Sequence, residues 1–123
     1  MIRAMIGSGA AVLVLAWCGV AQAQDTVQMA GAHLQALDKI SGVTGELDIK
    51  AGETVEYLHM QITLHECRAP SNSKNSNAFA SLTITDRVQN AVVFDGWMIA
   101  DSPALSALDH HRYDVWVTRC LGA

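Results

Sequence analysis

Between Met60 and Cys67 apolar and polar residues alternate well. Met60, Ile62 and Leu64 fall on one face, and Gln61, Thr63, His65 and Cys67 on the other. A period of two suits a strand with one buried face and cannot be laid on one side of a helix. The same period recurs in Glu46–Lys50, in Ala78–Thr85 through Ala78, Ala80, Leu82 and Ile84, and in Tyr113–Cys120 through Tyr113, Val115 and Val117. His33–Asp38 and Thr54–Leu58 are shorter strand candidates, and Ala91–Ala100 is a further strand interrupted at Gly96. The polar run Arg68–Asn77 and the segment Asp86–Asn90 read as loops, because they offer little that can be buried. Strands follow one another with no helices between them. The sequence therefore predicts an all-β fold, a small antiparallel β-sandwich or barrel with one short helical turn.

That helical turn is expected at Ser102–Leu108. Ser102 is placed to cap it, Pro103 suits its first position, and Leu105 and Leu108 sit three apart to pack down on the core. Gly96 reads as a bulge or a close backbone approach within its strand.

The N-terminus obeys a different pattern. Arg3 precedes the apolar run Ala10–Val20, and Ala21-Gln22-Ala23 follows. A basic start, a short apolar stretch of about 11 residues and a small-x-small site are the marks of a secretory signal peptide. The run is shorter than the ~20 residues that cross a hydrocarbon core. Residues 1–23 are expected to leave by cleavage after Ala23, with export to the periplasm. A retained membrane anchor is the competing reading, and bulky Trp17 argues against lipoprotein processing at Cys18. Residues 24–31 are expected to form a mobile arm, and residues 32–123 a single β domain without a membrane span.

The whole chain has a formal net charge of −4. After loss of Arg3, seven bases face twelve acids, a net charge of −5. The acids are scattered and no basic stripe exists, which excludes a nucleic-acid footprint. Of three cysteines, Cys18 lies in the leader, leaving Cys67 and Cys120. An even pair in an exported chain reads as a disulfide. It would close a loop of about 54 residues and contribute about 4 kcal/mol in the chain-entropy account. A metal-binding or catalytic cysteine pair is the rival, but the sequence has no Cys-x-x-Cys.

The least ordinary residues gather near the C-terminus. Asp109, His110, His111 and Asp114 form an acid–histidine cluster, the kind of set from which metal sites and acid–base catalysts are drawn. A closed zinc site needs four ligands, and no ligand-spaced partner accompanies these. Ser102 has the simpler role of a cap and lacks the glycine-rich elbow of a nucleophile. The residues thus imply neither a metal nor another cofactor. Trp97, Trp116 and Tyr113 are expected in the core or half in it, with one of them lining a partner groove as the alternative, and Met98 fits either.

Val93-Phe94-Asp95-Gly96-Trp97-Met98-Ile99-Ala100-Asp101-Ser102-Pro103-Ala104-Leu105 continues through Asp109-His110 to Tyr113-Asp114-Val115-Trp116-Val117. This series resembles the alphaproteobacterial domain-of-unknown-function family numbered 2155, whose pattern runs Gly-Trp-Met, Ser-Pro-Ala-Leu, an acid–His pair and Tyr-Asp-Val-Trp-Val before a cysteine. Leu37-Asp38-Lys39 and Ala78-Phe79 look like it too. The chain departs from the pattern where His111 and Arg112 follow His110 in place of proline. The resemblance implies no established reaction. It associates the chain with an accessory subunit of the respiratory NADH:ubiquinone oxidoreductase. The expected function is a non-enzymatic periplasmic domain that binds or braces an envelope protein, on such a respiratory membrane complex. The alternative is a small hydrolase or metal-binding domain using the Asp109/His110 turn.

Overall fold

The computed structural model describes residues 25–122, so the expected leader at 1–23 lies outside the described residues. Eight strands follow in chain order: β1 (Thr26–Met29), β2 (Gly31–Asp38), β3 (Thr44–Lys50), β4 (Thr54–Tyr57), β5 (Met60–Pro70), β6 (Phe79–Asp86), β7 (Ala91–Ile99) and β8 (Tyr113–Leu121). A single 3-10 turn, Pro103–Leu105, stands between β7 and β8. All pairings are antiparallel. One sheet runs β1-β5-β6-β7, with β4 also on β5; the other runs β3-β2-β8. The two sheets share one core containing Leu34, Ile49, Ile62, Leu64, Leu82 and Val115. The fold is a small β-sandwich, as the period-two pattern requires. No helix among the described residues is long and apolar enough to cross a membrane.

Residues 24–31 are not a mobile arm where they are described. Thr26–Met29 pairs with Cys67–Pro70, and the Arg68 side chain donates to the Thr26 hydroxyl at 2.8 Å. The signal was weak because four residues carry too few alternations to register as a strand.

β5 shows why strict alternation misplaces a residue. Met60, Ile62 and Leu64 are buried, but so is Cys67, which an unbroken period would put beside His65 on the outer face. The ladder to β6 pairs Leu64 with Leu82 and Glu66 with Ser81, leaving His65 as the extra residue of a β-bulge. The bulge resets the phase and turns Cys67 inward. β8 repeats the device. Leu34 pairs with Val117 and His33 with Arg119, so Thr118 is extra and Cys120 turns inward. The Thr118 hydroxyl anchors that bulge by donating to the His33 carbonyl at 3.0 Å. The two cysteines then form a disulfide between the sheets, with Cα atoms 5.8 Å apart. Each has a small neighbour across its ladder, Ala80 beside Cys67 and Ala32 beside Cys120.

Because His65 is the supernumerary residue, its deletion should leave a regular strand with Cys67 still inward. The expected result is an intact disulfide, checked by thiol counting after denaturation; two free thiols would show that the bulge does not set this phase.

Three expectations at the β7–β8 connection need correction. Gly96 marks neither bulge nor close approach. It pairs with Leu82, a Cβ there would meet only Phe94 at 3.8 Å, and the bulged residue of β7 is Val93. Close approach belongs instead to Gly31, against the Ile49 carbonyl, and to Gly45, under the Tyr57 ring. Ser102 precedes the 3-10 turn with no side-chain cap, while Pro103 takes its first position. Leu108 is buried, but Leu105 is 77% exposed, since one 3-10 turn is too short to return both leucines to one side.

Trp97 also leaves the expected core. It stands on the outer face of β7 opposite Ser81 and is 44% exposed, while its neighbour Met98 points inward. Trp116 is half-buried on the outer face of β8, whereas Tyr113 is buried as expected. Alternation decides this: Val115 and Val117 occupy the inner positions, so Trp116 between them must face out.

Candidate functional site

At one end of the sandwich β2 and β6 each terminate in a buried aspartate, Asp38 and Asp86. Each carboxylate first organises its own turn. Asp38 Oδ1 accepts the N–H groups of Ile40 at 3.0 Å and Ser41 at 3.3 Å. Asp86 Oδ1 accepts those of Val88 at 2.8 Å and Gln89 at 3.1 Å. Short acidic side chains at strand ends favour this arrangement because they reach the backbone two and three residues on. Each then grips the segment leading into β8. The Arg112 guanidinium donates to Asp38, with Nη2 3.1 Å from Oδ2. His110 Nε2 lies 2.8 Å from Asp86 Oδ2, with both side chains almost fully buried. One aspartate belongs to each sheet, so His110 and Arg112 tie the segment to both.

The polarity of the His110 contacts fixes its tautomer. Nδ1 accepts the N–H groups of Arg112 at 3.0 Å and Tyr113 at 3.1 Å. An accepting nitrogen carries no proton, so the neutral ring holds its proton on Nε2 and donates it to Asp86. Lys39 completes the latch, donating from Nζ to the His110 carbonyl at 2.6 Å and from its N–H to the Arg112 carbonyl at 2.7 Å. The His111 ring stacks on His110 at 4.5 Å, and Tyr113 lies 5.2 Å from it on centroids.

The Arg112 guanidinium, helped by the Ile40 and Ser41 N–H groups, lowers the Asp38 pKa from 3.8 to about 2 against the opposing pull of burial. The His110 hydrogen bond, with the Gln89 N–H, lowers that of Asp86 below the usual carboxylate value. A depressed folded-state pKa means that the unfolded chain binds the proton more tightly. The stability linked to these groups is therefore present above about pH 4 and lost as pH falls towards 2. Urea midpoints should hold at neutral pH and decline below about pH 4. Asp38→Asn should lower the neutral midpoint and flatten the acid decline. Parallel declines in the variant and the parent would exclude Asp38 as the linked group.

The arrangement binds the chain to itself. Both ring nitrogens of His110 are committed, one to Asp86 and one to backbone, leaving no lone pair for a metal or a substrate proton. Asp109 and His111 point to the exposed side, and Asp114 lies on β8 rather than in the latch. Among the described residues no three His, Cys, Asp or Glu side chains are grouped to hold a metal ion. The structure thus breaks up the Asp109–His110–His111–Asp114 set suggested by sequence proximity and gives His110 a different acid, Asp86. Asp86 and Asp38 escaped the sequence reading because they look like ordinary turn residues. The usable signal was an aspartate ending an alternating run, just before a polar turn.

A groove of about 320 Å³ runs between the 3-10 turn and β8, lined by Met98, Pro103, Ala104, Ala107, Val115 and Val117. Asp114 and Trp116 border it. A recess of about 480 Å³ lies on the other side of Trp116, beside Gln35, Thr44 and Glu46.

Comparison with known sequences finds a family, described as "Uncharacterized protein conserved in bacteria (DUF2155)", whose model matches residues 32–120. An uncharacterized protein of Rickettsia prowazekii (strain Madrid E) is 31% identical over 88 residues, covering 69% of this chain and 57% of that protein. The chain thus spans little more than half the length of this curated relative. No solved structure matches the chain. The match encloses both aspartates, the His110 latch and the disulfide.

Proposed function

The chain belongs to the DUF2155 family, and from that premise we propose that it is a non-enzymatic periplasmic domain that binds or braces another protein of the cell envelope. Its place is on the periplasmic side of a membrane complex such as the respiratory NADH:ubiquinone oxidoreductase. The observation that carries this reading is the outward placement of Trp97 and Trp116 on a rigid scaffold. Tryptophan on an outer sheet face contributes little to a core, and it is among the residues that anchor protein interfaces. The disulfide and the doubly latched β8 hold these rings on elements that need not reorganise on binding. A disulfide also suits an oxidising compartment. The committed nitrogens of His110 disfavour acid–base or metal chemistry at the turn.

The test is affinity capture from detergent-solubilised envelope membranes by the immobilised oxidised protein. A membrane complex retained by the parent and lost from Trp97→Ala or Trp116→Ala is the expected result. Trp97→Ala should cost folding stability only about 1 kcal/mol or less, as for an exposed site. No specific retention, or a turnover abolished by His110→Ala in a folded protein, would overturn the proposal.

A further inference from the structure

Among the described residues β8 has a strand neighbour, β2, along one edge only. Along the other, alternate N–H and C=O groups point away from the sheet, which is the template to which a further strand adds. Natural edges of this length are usually blunted by charge, proline or a covering element. Here Asp114–Val117 is regular in its pairing, the bulge begins only at Thr118, and the nearest cover stands across the groove of about 320 Å³. The groove has apolar walls and one carboxylate, Asp114. This group makes no side-chain hydrogen bond or ion pair among the described residues. Trp116 stands two residues on, on the same face, with Glu46 in line with it across Gln35 of β2.

Resting on the protein-binding reading above, we infer that the β8 edge at Asp114–Val117 takes up an extended cationic segment of the partner, which joins the β3-β2-β8 sheet as a fourth strand. Main-chain hydrogen bonds to β8 hold the segment. Its inward apolar side chains enter the groove against Met98 and Ala107. A lysine or arginine on the opposite face lies between the Asp114 carboxylate and the Trp116 ring, where charge and the ring quadrupole attract a cation together. The sign of the occupant follows from the unpaired Asp114, the nearby Glu46 and the chain's acidic balance.

The probes are blocked octapeptides of alternating valine and lysine, of alternating valine and glutamate, and the lysine peptide N-methylated at alternate positions. Binding is read by calorimetry, with tryptophan emission as a second signal. The lysine peptide should bind and shift the emission, while the glutamate and N-methylated peptides should not. Asp114→Asn should weaken binding about fivefold, the scale of a half-exposed ion pair. Ala104→Arg, an exposed change on the groove wall, should weaken it without touching β8. Equal binding of the glutamate or N-methylated peptide, or no effect of either variant, overturns the inference. A membrane partner retained by the parent and equally by Asp114→Asn and Ala104→Arg overturns strand addition but leaves protein binding standing. The lysine peptide bound at β8 with no envelope partner retained supports the edge and overturns only the envelope assignment.

Discussion

Replacing both Cys67 and Cys120 with alanine should lower the unfolding free energy by about 4 kcal/mol. The bond joins residues 53 apart and removes that loop's freedom from the unfolded chain. It also connects β5 of one sheet to β8 of the other, so no pairing within either sheet substitutes for it. Small domains have total stabilities of roughly 5–15 kcal/mol, so this loss is a large share. Guanidinium unfolding of the oxidised parent, the reduced parent and the double-alanine variant measures it. The reduced and double-alanine proteins should unfold at similar, much lower midpoints. Coincidence with the oxidised midpoint would mean that ladder hydrogen bonds and core packing hold the sandwich without the bond.

Leu64→Ala should cost about 2–5 kcal/mol, the range for a fully buried leucine whose site cannot collapse. Leu64 is wholly enclosed and sits immediately before the His65 bulge. Its N–H donates to the Glu53 carbonyl and its carbonyl accepts from the Gly52 N–H, on the segment that carries the chain from one sheet to the other. The backbone there is held from two sides and cannot move in to fill the space. A shift in denaturant midpoint at constant slope gives the cost. A loss below about 1 kcal/mol would indicate that the site relaxes after all.

Most of the sandwich could be read from alternation, because a half-buried strand writes its orientation into every second residue. Seven of the eight strands overlap those expected, but β5 runs on through Arg68–Pro70, read as loop from its polar neighbours and held as strand by its pairing with β1. β1 was missed, being four residues whose pairing depends on a distant strand. The errors of face came from bulges, which alternation cannot register: an extra residue at His65 or Thr118 looks in sequence like any other polar position. The disulfide was read correctly from cysteine count even though alternation pointed Cys67 outward, so the two signals conflicted and the bulge reconciles them. The tryptophans misled for a different reason. Size suggests burial, but position on the strand decides it, and Val115 and Val117 had already claimed the inner face. His110 was singled out, yet its partner was sought among its sequence neighbours. Asp86 lies 24 residues away and reaches it only because β6 and the entry to β8 end at the same place.

The pairing of β2 with β8 determines when this fold can be finished. β8 is the last of the eight strands in chain order, and it lies beside the second. Until it is delivered, β2 and β3 are an isolated hairpin, which is marginal in water. Their apolar side chains then cover only part of the opposing β1-β5-β6-β7 layer. The Asp38 and Asp86 carboxylates await His110 and Arg112, and Cys67 has no partner from β8. The disulfide, both aspartate latches and the β2–β8 ladder thus engage together, on the arrival of one nine-residue strand and the turn that leads into it. Long-range closure of this kind is slow compared with folding through local contacts. A chain broken before Tyr113 would keep seven strands and still be an open clam, a species that proteases and holding chaperones can distinguish from the finished domain by its uncovered face.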